Sequence, residues 1–156
     1  DLLVANLQTM RELIEHLKKP ISALGVRPTG VLVPEKSAYE EENITEGILT
    51  ITDTAIQSTS KAADCRWWKN ISAIIQFMQG SNYAYIMLQA SRLSSSPATT
   101  NLQIGPSLEL TPGDIVILNI DEEDWAPYIF AAVYCPYATS AAPHRVRIDI
   151  IKRELL

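Results

Sequence analysis

Arg145-Val146-Arg147-Ile148-Asp149-Ile150 is the stretch that decides the fold. Three aliphatic side chains alternate in it with three charged ones, and alternate residues of a β-strand point to opposite faces of the sheet. One face of this strand therefore belongs in a core while the other meets water. We expect it to be the closing strand of an all-β region.

The chain that precedes this strand carries the same kind of pattern. Apolar or alternating runs are separated by turn residues, and Thr111-Pro112-Gly113-Asp114 has the Pro and Gly positions of a type II turn. Gln79-Gly80-Ser81 is predicted to be a tight turn that joins two strands. Ile115 to Ile120 is an almost continuous apolar run, which predicts a central strand. The predicted strands before the closing one are 49–54, 67–77, 82–93, 102–110 (in two segments, 102–104 and 108–110), 115–120 and 128–135.

Seven strands separated by about ten residues each are typical of an antiparallel β-sandwich. The predicted fold class is therefore mainly β, with an immunoglobulin-like or jelly-roll-like sandwich over residues 47–156. The predicted organisation places an amphipathic helix at residues 1–20 and an extended connector arm at residues 21–46 before it.

The N-terminal helix is predicted over residues 2–19. Its apolar residues follow one another at steps of four and three, the spacing of a heptad seam, and Pro20 is expected to end it. Two interpretations remain open: a helix packed on its own domain, or a short bundle between subunits. The residues assigned to association are Leu3, Leu7, Met10, Ile14 and Leu17.

The connector is punctuated by Pro and Gly and ends in the acidic run Glu40-Glu41-Glu42, which we interpret as a solvated turn. A long segment without regular structure is usually an arm, a functional loop or a linker. Val31-Leu32-Val33 is its one short apolar segment. It predicts a strand that adds to the sheet edge of a neighbouring subunit.

Composition excludes several classes of protein. The 156 residues are 47% hydrophobic and 20% charged, which describes a folding chain with one core. A net charge of −5 argues against nucleic acid as a partner, because phosphate binding needs clustered Lys and Arg. No apolar run approaches the roughly 18 residues that cross a bilayer, so membrane insertion is not expected.

Residues for catalysis or metal binding are scarce. The two histidines, His16 and His144, are both expected at the surface, and neither a Gly-x-Ser-x-Gly elbow nor a Gly-rich phosphate loop occurs. The acidic run at 121–124 lacks EF-hand spacing and is interpreted as a solvated turn. We therefore predict no catalytic residues, no metal and no cofactor. A small hydrolase with an unfamiliar site around His144 is kept as a rival hypothesis.

Cys65 and Cys135 are too few for a disulfide scaffold and too far apart in sequence for a structural zinc site. Two buried thiols are the favoured interpretation, and one disulfide remains open if the protein is exported.

The three tryptophans support a second rival hypothesis. Trp67 and Trp68 point to opposite faces if they lie on a strand, so that one is core and the other exposed. Exposed aromatic rings on a sandwich bind sugars. The candidate glycan platform is Trp67, Trp68 and Trp125.

One resemblance covers roughly residues 50–152. The stretch 52–60 before an aromatic-rich strand, Leu110-Thr111-Pro112-Gly113-Asp114, Pro127-Tyr128-Ile129 and the closing Val-x-Ile-x-Ile strand resemble a small uncharacterised β-sandwich domain of bacterial surface and phage-associated proteins. The resemblance implies a non-catalytic sandwich displayed on an assembly, and it supplies no site residues.

These observations together predict a non-enzymatic structural module. We expect a homo-oligomeric component of a virion or cell surface, of the phage decoration, tail or fibre type, whose partners are copies of itself and other assembly proteins. The alternative is a carbohydrate-binding sandwich of an exported protein, with a glycan as partner.

Overall fold

The structure, a computed structural model, describes the backbone of residues 2–23, 39–94 and 102–155 and the side chains of residues 2–15, 39–94 and 102–154. The chain divides into two compact units, residues 1–38 and residues 39–156. The first unit contains the helix α1 (Leu2–Ala23). The strands of the second are β1 (Tyr39–Asn43), β2 (Leu49–Ile51), β3 (Gln57–Ser58), β4 (Ala63–Asp64), β5 (Trp68–Gln79), β6 (Ala84–Ser91), β7 (Leu102–Leu110), β8 (Ile115–Ile120), β9 (Tyr128–Tyr134) and β10 (His144–Leu155).

The strands form two antiparallel sheets. The first has the order β1-β10-β5-β8, with β2 also paired to β10, and the second has the order β3-β9-β6-β7, with β4 also paired to β9. Side chains from both sheets meet in one hydrophobic core, for example Ile75 and Ile148 from the first and Leu88 and Ile129 from the second. The predicted mainly β sandwich, preceded by one helix, is therefore confirmed.

The strand β10 is the centre of the first sheet. It pairs with β1, β2 and β5 along its twelve residues. Its alternating aliphatic residues Val146, Ile148 and Ile150 are fully buried, as the sequence pattern predicts. On the opposite face Arg147 Nε donates to Asp149 Oδ2 at 2.8 Å, and Asn43 Nδ2 of β1 donates to Asp149 Oδ1 at 2.7 Å.

The turn Thr111-Pro112-Gly113-Asp114 has the predicted geometry. Gly113 has φ +97°, and the Asp114 N–H donates to the Thr111 carbonyl at 3.0 Å. Asp114 Oδ2 also accepts hydrogen bonds from the Thr111 N–H at 2.8 Å and from its Oγ1 at 3.0 Å. The turn carries the chain from the end of β7 in one sheet to the start of β8 in the other.

The segment at Gly80 differs from its prediction as a tight turn between two paired strands. β5 and β6 lie in different sheets, because β5 is already flanked by β10 and β8. The chain therefore crosses the sandwich at Gly80. A side chain there would collide with the Phe77 ring and would place its Cβ 3.0 Å from the His144 ring, which explains the glycine.

The strand β8 also differs from its prediction, because it is an edge strand and not a central one. The apolar run suggested burial on both faces. The structure buries Ile120 and half-buries Val116 and Leu118, whereas Ile115 and Ile117 are each 66% exposed.

The predicted boundaries near the N-terminus are corrected at two points. α1 continues to Ala23, past Pro20. A proline removes one helical hydrogen bond and can kink a helix, but a helix can continue beyond it. The acidic run Glu40-Glu41-Glu42 is part of β1 and pairs with β10, so the sandwich begins at Tyr39 and not at residue 47. The predicted arm Val31-Leu32-Val33 lies outside the described residues.

Candidate assembly site

The N-terminal helix carries an exposed apolar stripe. Every described side chain from Leu2 to Glu15 is exposed. Four of the five residues predicted for association are among them: Leu3 at 67%, Leu7 at 52%, Met10 at 60% and Ile14 at 49%. Leu17 belongs to α1, and its side chain lies outside the described residues.

The width of the stripe follows from helical geometry. Residues three and four apart lie on one face of a helix, so the four predicted residues form a continuous line. Leu2, Val4 and Leu13, also exposed, widen it beyond a narrow seam. The charged Arg11, Glu12 and Glu15 occupy other positions around the helix. This is the amphipathic pattern of a helix that buries one face.

The predicted tryptophan platform is divided between the core and the surface. Trp67, 66% exposed, lies in the turn that precedes β5, whereas Trp68, 7% exposed, is the first residue of β5, so one ring is at the surface and the other in the core. The Trp125 Nε1–H donates to the Trp68 carbonyl at 3.0 Å, which fixes the half-exposed Trp125 ring. Since Trp68 is a core residue, it does not offer its ring to a ligand.

A tyrosine cluster is the surface aromatic group that the sequence reasoning missed. Tyr85 of β6 lies directly opposite Tyr134 of β9, and their rings stack at 6.2 Å. Tyr83 contacts Tyr85 at 5.3 Å and Tyr137 at 5.4 Å, both edge to face. The hydrogen bond to Tyr137, with burial, raises the pKa of Tyr83 to about 12. Tyr83, just before β6, and Tyr85, within it, are two residues apart, which was the available signal, but Tyr134 and Tyr137 come from elsewhere in the chain.

A buried lysine, Lys152, forms a hydrogen-bond network that links three strands. Lys152 of β10 is 1% exposed, and its Nζ donates to Glu42 Oε2 at 2.8 Å, to Glu40 Oε1 at 2.9 Å and to the Asp64 carbonyl at 3.0 Å. All three ammonium protons are therefore used. The Trp68 ring lies 5.7 Å from Nζ. The network attaches β1 and β4 to β10, so we assign it a structural role.

The charge of Lys152 is retained despite burial. Burial alone would lower the pKa of this ammonium group, but the hydrogen bonds and charges of Glu42 and Glu40 outweigh burial and raise it. Glu42 is held in turn, because its Oε2 also accepts the Asp64 N–H at 3.1 Å and its Oε1 lies 3.5 Å from Lys61 Nζ.

His144 is fully buried, and its expected surface position was wrong. It begins β10, and its ring packs 5.3 Å from the Phe77 ring. His144 Nε2 accepts the Ser81 N–H at 3.2 Å and lies 3.2 Å from Ser81 Oγ. Burial lowers the pKa of His144 below its usual value, which keeps the imidazole neutral. The contact holds the Gly80 crossing in place.

Cys65 and Cys135 are both buried and free, as the two-thiol interpretation predicted. Burial raises the pKa of Cys65 to about 12 and that of Cys135 to about 11, so neither is a reactive thiolate at neutral pH. The acidic run at 121–124 contains an exposed 3₁₀ turn, Glu122–Asp124, between β8 and β9. This agrees with a solvated turn.

Metal-binding clusters and membrane-spanning helices are both absent from the described residues. Those residues contain no group of three or more His, Cys, Asp or Glu side chains placed to hold a metal ion. The described residues also contain no helix that is both long enough and apolar enough to cross a membrane.

Comparison with known proteins gives structural neighbours only. No protein-family model and no curated protein matches the chain. A pilus protein of Bacillus endospore appendages is similar with 10% identity and a TM-score of 0.49, over 76% of this chain and 88% of its own. The Desmodium yellow mottle tymovirus protein is similar with 14% identity and a TM-score of 0.40, over 76% and 87%. A xylan-binding domain from Paenibacillus barcinonensis has 11% identity and a TM-score of 0.39, over 73% and 92%. Likeness at this level assigns no function.

Proposed function

We propose that this protein is a non-enzymatic structural module that self-associates through α1 and displays its sandwich on a virion or cell surface. The observation that carries the proposal is the exposed apolar stripe of α1. Leu7, Met10 and Ile14 are each about half exposed or more, in line along one helix face. Single exposed apolar residues are ordinary, but a continuous exposed stripe indicates an interaction site.

Self-association supplies the stabilisation that such a helix needs. In proteins most helical stability comes from packing of an amphipathic face, so a helix whose apolar face is exposed gains stability when that face is covered. Burying one Leu, Ile or Met side chain contributes about 1.5–3 kcal/mol. Copies of the same helix offer each other matching stripes at heptad spacing. A short parallel or antiparallel bundle is therefore the occupant that we propose.

The rival hydrolase hypothesis receives little support from the Ser81–His144 pair. The lone pair of Nε2 that would accept the Ser81 hydroxyl proton already accepts the Ser81 main-chain N–H. Among the described residues, no carboxylate contacts His144 Nδ1 to orient the ring, as the acid of a triad does. The contact is better explained as support for the Gly80 crossing.

The proposed location is a surface that faces solvent, of the phage decoration, tail or fibre type. A net charge of −5 keeps a repetitive assembly soluble and disfavours nucleic acid. Within residues 39–94 and 102–154, side chains from both sheets form one hydrophobic core, and Lys152 pairs with Glu40 and Glu42.

The test is the mass of the intact chain in solution, measured by light scattering and native mass spectrometry. We expect an oligomer for the wild type and a monomer for Leu7→Glu, which places a charge in the stripe. Gln8→Glu adds the same charge to another face of α1 and should remain oligomeric. A wild type that stays monomeric at tens of micromolar, or equal masses for the two variants, would contradict the proposal.

Glycan binding is a second candidate, supported by the tyrosine cluster (Tyr83, Tyr85, Tyr134 and Tyr137). Clustered aromatic rings with polar tips offer both stacking surface and hydrogen bonds. Tyr137 and Tyr39 are each 50% exposed, and Tyr39 lies on β1, in the other sheet. On a glycan array, Tyr137→Ala should abolish a signal that Tyr39→Ala keeps. A wild type without signal would remove this candidate.

A further inference from the structure

Three of the four sheet edges in the described part of the chain are protected against pairing. β1 carries three consecutive glutamates, Glu40 to Glu42. β7 is interrupted by Gly105 at φ +65° and Pro106, with a register shift in its pairing to β6. The remaining edge consists of β3 and β4, which have two residues each. Charges, prolines, bulges and short strands are the usual devices that block edge-to-edge association.

The fourth edge, β8, has none of these devices. Its sequence Ile-Val-Ile-Leu-Asn-Ile contains no charge, no proline and no glycine. It pairs with β5 over six consecutive residues without a register shift. Ile115 and Ile117 add apolar side chains to its exposed face. A regular, uncharged edge with exposed isoleucines is a surface for strand pairing.

The main-chain groups on the open side of β8 can be identified. The Phe77 N–H donates to the Asp114 carbonyl at 3.0 Å, so residue 114 points its main chain toward β5. This direction alternates along an antiparallel strand. Val116, Leu118 and Ile120 therefore also bond to β5. The residues whose N–H and C=O groups face the open side are Ile115, Ile117 and Asn119.

We propose that β8 pairs antiparallel with β8 of a second copy, about a two-fold axis at Ile117. In that register Ile117 lies opposite Ile117 of the second copy, and Ile115 lies opposite Asn119. Ile115, Ile117 and Asn119 of one copy thus lie opposite Asn119, Ile117 and Ile115 of the other. Every N–H and C=O group on the open side of β8 gains a partner. The two four-strand paths would join into one continuous sheet.

The same register avoids repulsion between two chains that each carry a charge of −5. Asp114 lies opposite Ile120, and the acidic run at 121–124 lies opposite residues 110–113, which carry no charge. No carboxylate therefore faces another across the axis. Pairing of β8 with the glutamate-bearing β1 of a second copy lacks this self-matching, so we favour β8.

This pairing adds a second contact to the proposed function and does not depend on α1. A two-fold contact at β8 combined with helix association links each copy to neighbours at two places. Such a combination extends an assembly beyond a closed dimer.

A cysteine in β8 tests the register in the full chain. Opposed Cα atoms of a hydrogen-bonded pair lie about 5.5 Å apart, within disulfide range. Ile117→Cys should therefore form a covalent dimer under mild oxidation. In Ile115→Cys, residue 115 of one copy lies opposite residue 119 of the other. The two introduced cysteines are then offset by four residues, roughly 13 Å along the strands, which is too far for a disulfide. The two positions are equally exposed, at 66%.

We expect about tenfold more dimer on non-reducing gels for Ile117→Cys than for Ile115→Cys. Pairing of β8 brings the two introduced thiols together in Ile117→Cys, whereas it keeps them apart in Ile115→Cys. Mixing Ile115→Cys with Asn119→Cys should give a heterodimer. The wild type controls for Cys65 and Cys135. Equal dimer from Ile115→Cys and Ile117→Cys, or none from Ile117→Cys, would overturn the proposal.

A double variant separates this proposal from the helix proposal. Leu7→Glu combined with Ile117→Cys should lose helix association and keep the disulfide. If Ile117→Cys fails to crosslink while the wild type remains an oligomer that Leu7→Glu dissociates, β8 pairing is wrong and helix association stands. If Leu7→Glu changes nothing and the disulfide forms, helix association is wrong and β8 pairing stands.

Discussion

β10 and β8 belong to the same sheet, but the charges in their sequences do not follow their positions in it. β10 alternates aliphatic and charged residues, and it is central and paired with β1, β2 and β5. β8 is almost wholly apolar, as a central strand would be, yet it lies at the edge. The strand with the charges is the covered one.

Pairing of polar groups explains the difference. In β10, Lys152 is enclosed by Glu40 and Glu42, and Asp149 is held by Arg147 and Asn43. Buried charges are tolerated when hydrogen bonds satisfy them. In β8 the exposed isoleucines have no such explanation within the sandwich. Charge in a strand therefore does not by itself report solvent exposure, and a regular apolar edge strand is a candidate surface for strand pairing.

One substitution made in both strands should give the largest difference. Ile148→Ala in β10 removes a fully buried side chain and should lower the free energy of unfolding by about 4 kcal/mol. Ile117→Ala in β8 removes a side chain that is 66% exposed and should cost under about 1 kcal/mol. Urea unfolding at low protein concentration measures both. Similar losses at the two positions would mean that β8 is covered in solution.

The sequence predicted the sandwich because period-two alternation and turn residues are local signals. The closing strand, the type II turn at Gly113 and the span 115–120 all match the structure. The sheet to which each strand belongs could not be predicted in the same way, because a strand has only two edges and distant strands can already occupy both of them. The crossing at Gly80 shows this, because nothing local distinguishes it from a hairpin.

The next largest effect concerns the polar end of β10. Lys152→Ala leaves the Glu42 carboxylate, 16% exposed, without its ammonium partner, and should lower the free energy of unfolding by about 3 kcal/mol. Glu40 is half exposed and contributes less. Lys69→Ala, at an exposed position of β5, should change stability by less than about 0.5 kcal/mol. Equal stabilities of the two variants would show that the Lys152 network does not support the fold.

The candidate site was predicted less completely than the fold. The helix stripe was predicted because the 3-4 spacing of Leu3, Leu7, Met10 and Ile14 is a local signal. The Lys152 network joins residues more than one hundred positions apart, so no spacing rule could find it. The same holds for His144, whose contacts with Phe77 and Ser81 exist only after the chain has crossed the sandwich.

The smallest effect is a pH dependence that β10 has and β8, without titratable side chains, lacks. Burial lowers the pKa of His144 in the folded state, so between that value and the ordinary value near 6.5 the unfolded chain binds more protons. The stability that neutral His144 contributes is therefore present above pH 6.5 and lost as the pH falls. His144→Gln keeps an acceptor for the Ser81 N–H and cannot titrate.

The measurement is the free energy of unfolding in urea at pH 8, 7, 6 and 5. Carboxylates titrate in both proteins, so the difference between wild type and His144→Gln isolates the histidine. We expect the wild type to lose more stability than the variant between pH 7 and pH 5. Ile117→Ala should keep the slope of the wild type, because no titratable group of β8 is involved. Parallel profiles for wild type and His144→Gln would mean that His144 has the same pKa in the folded and the unfolded chain, which would contradict the lowering by burial.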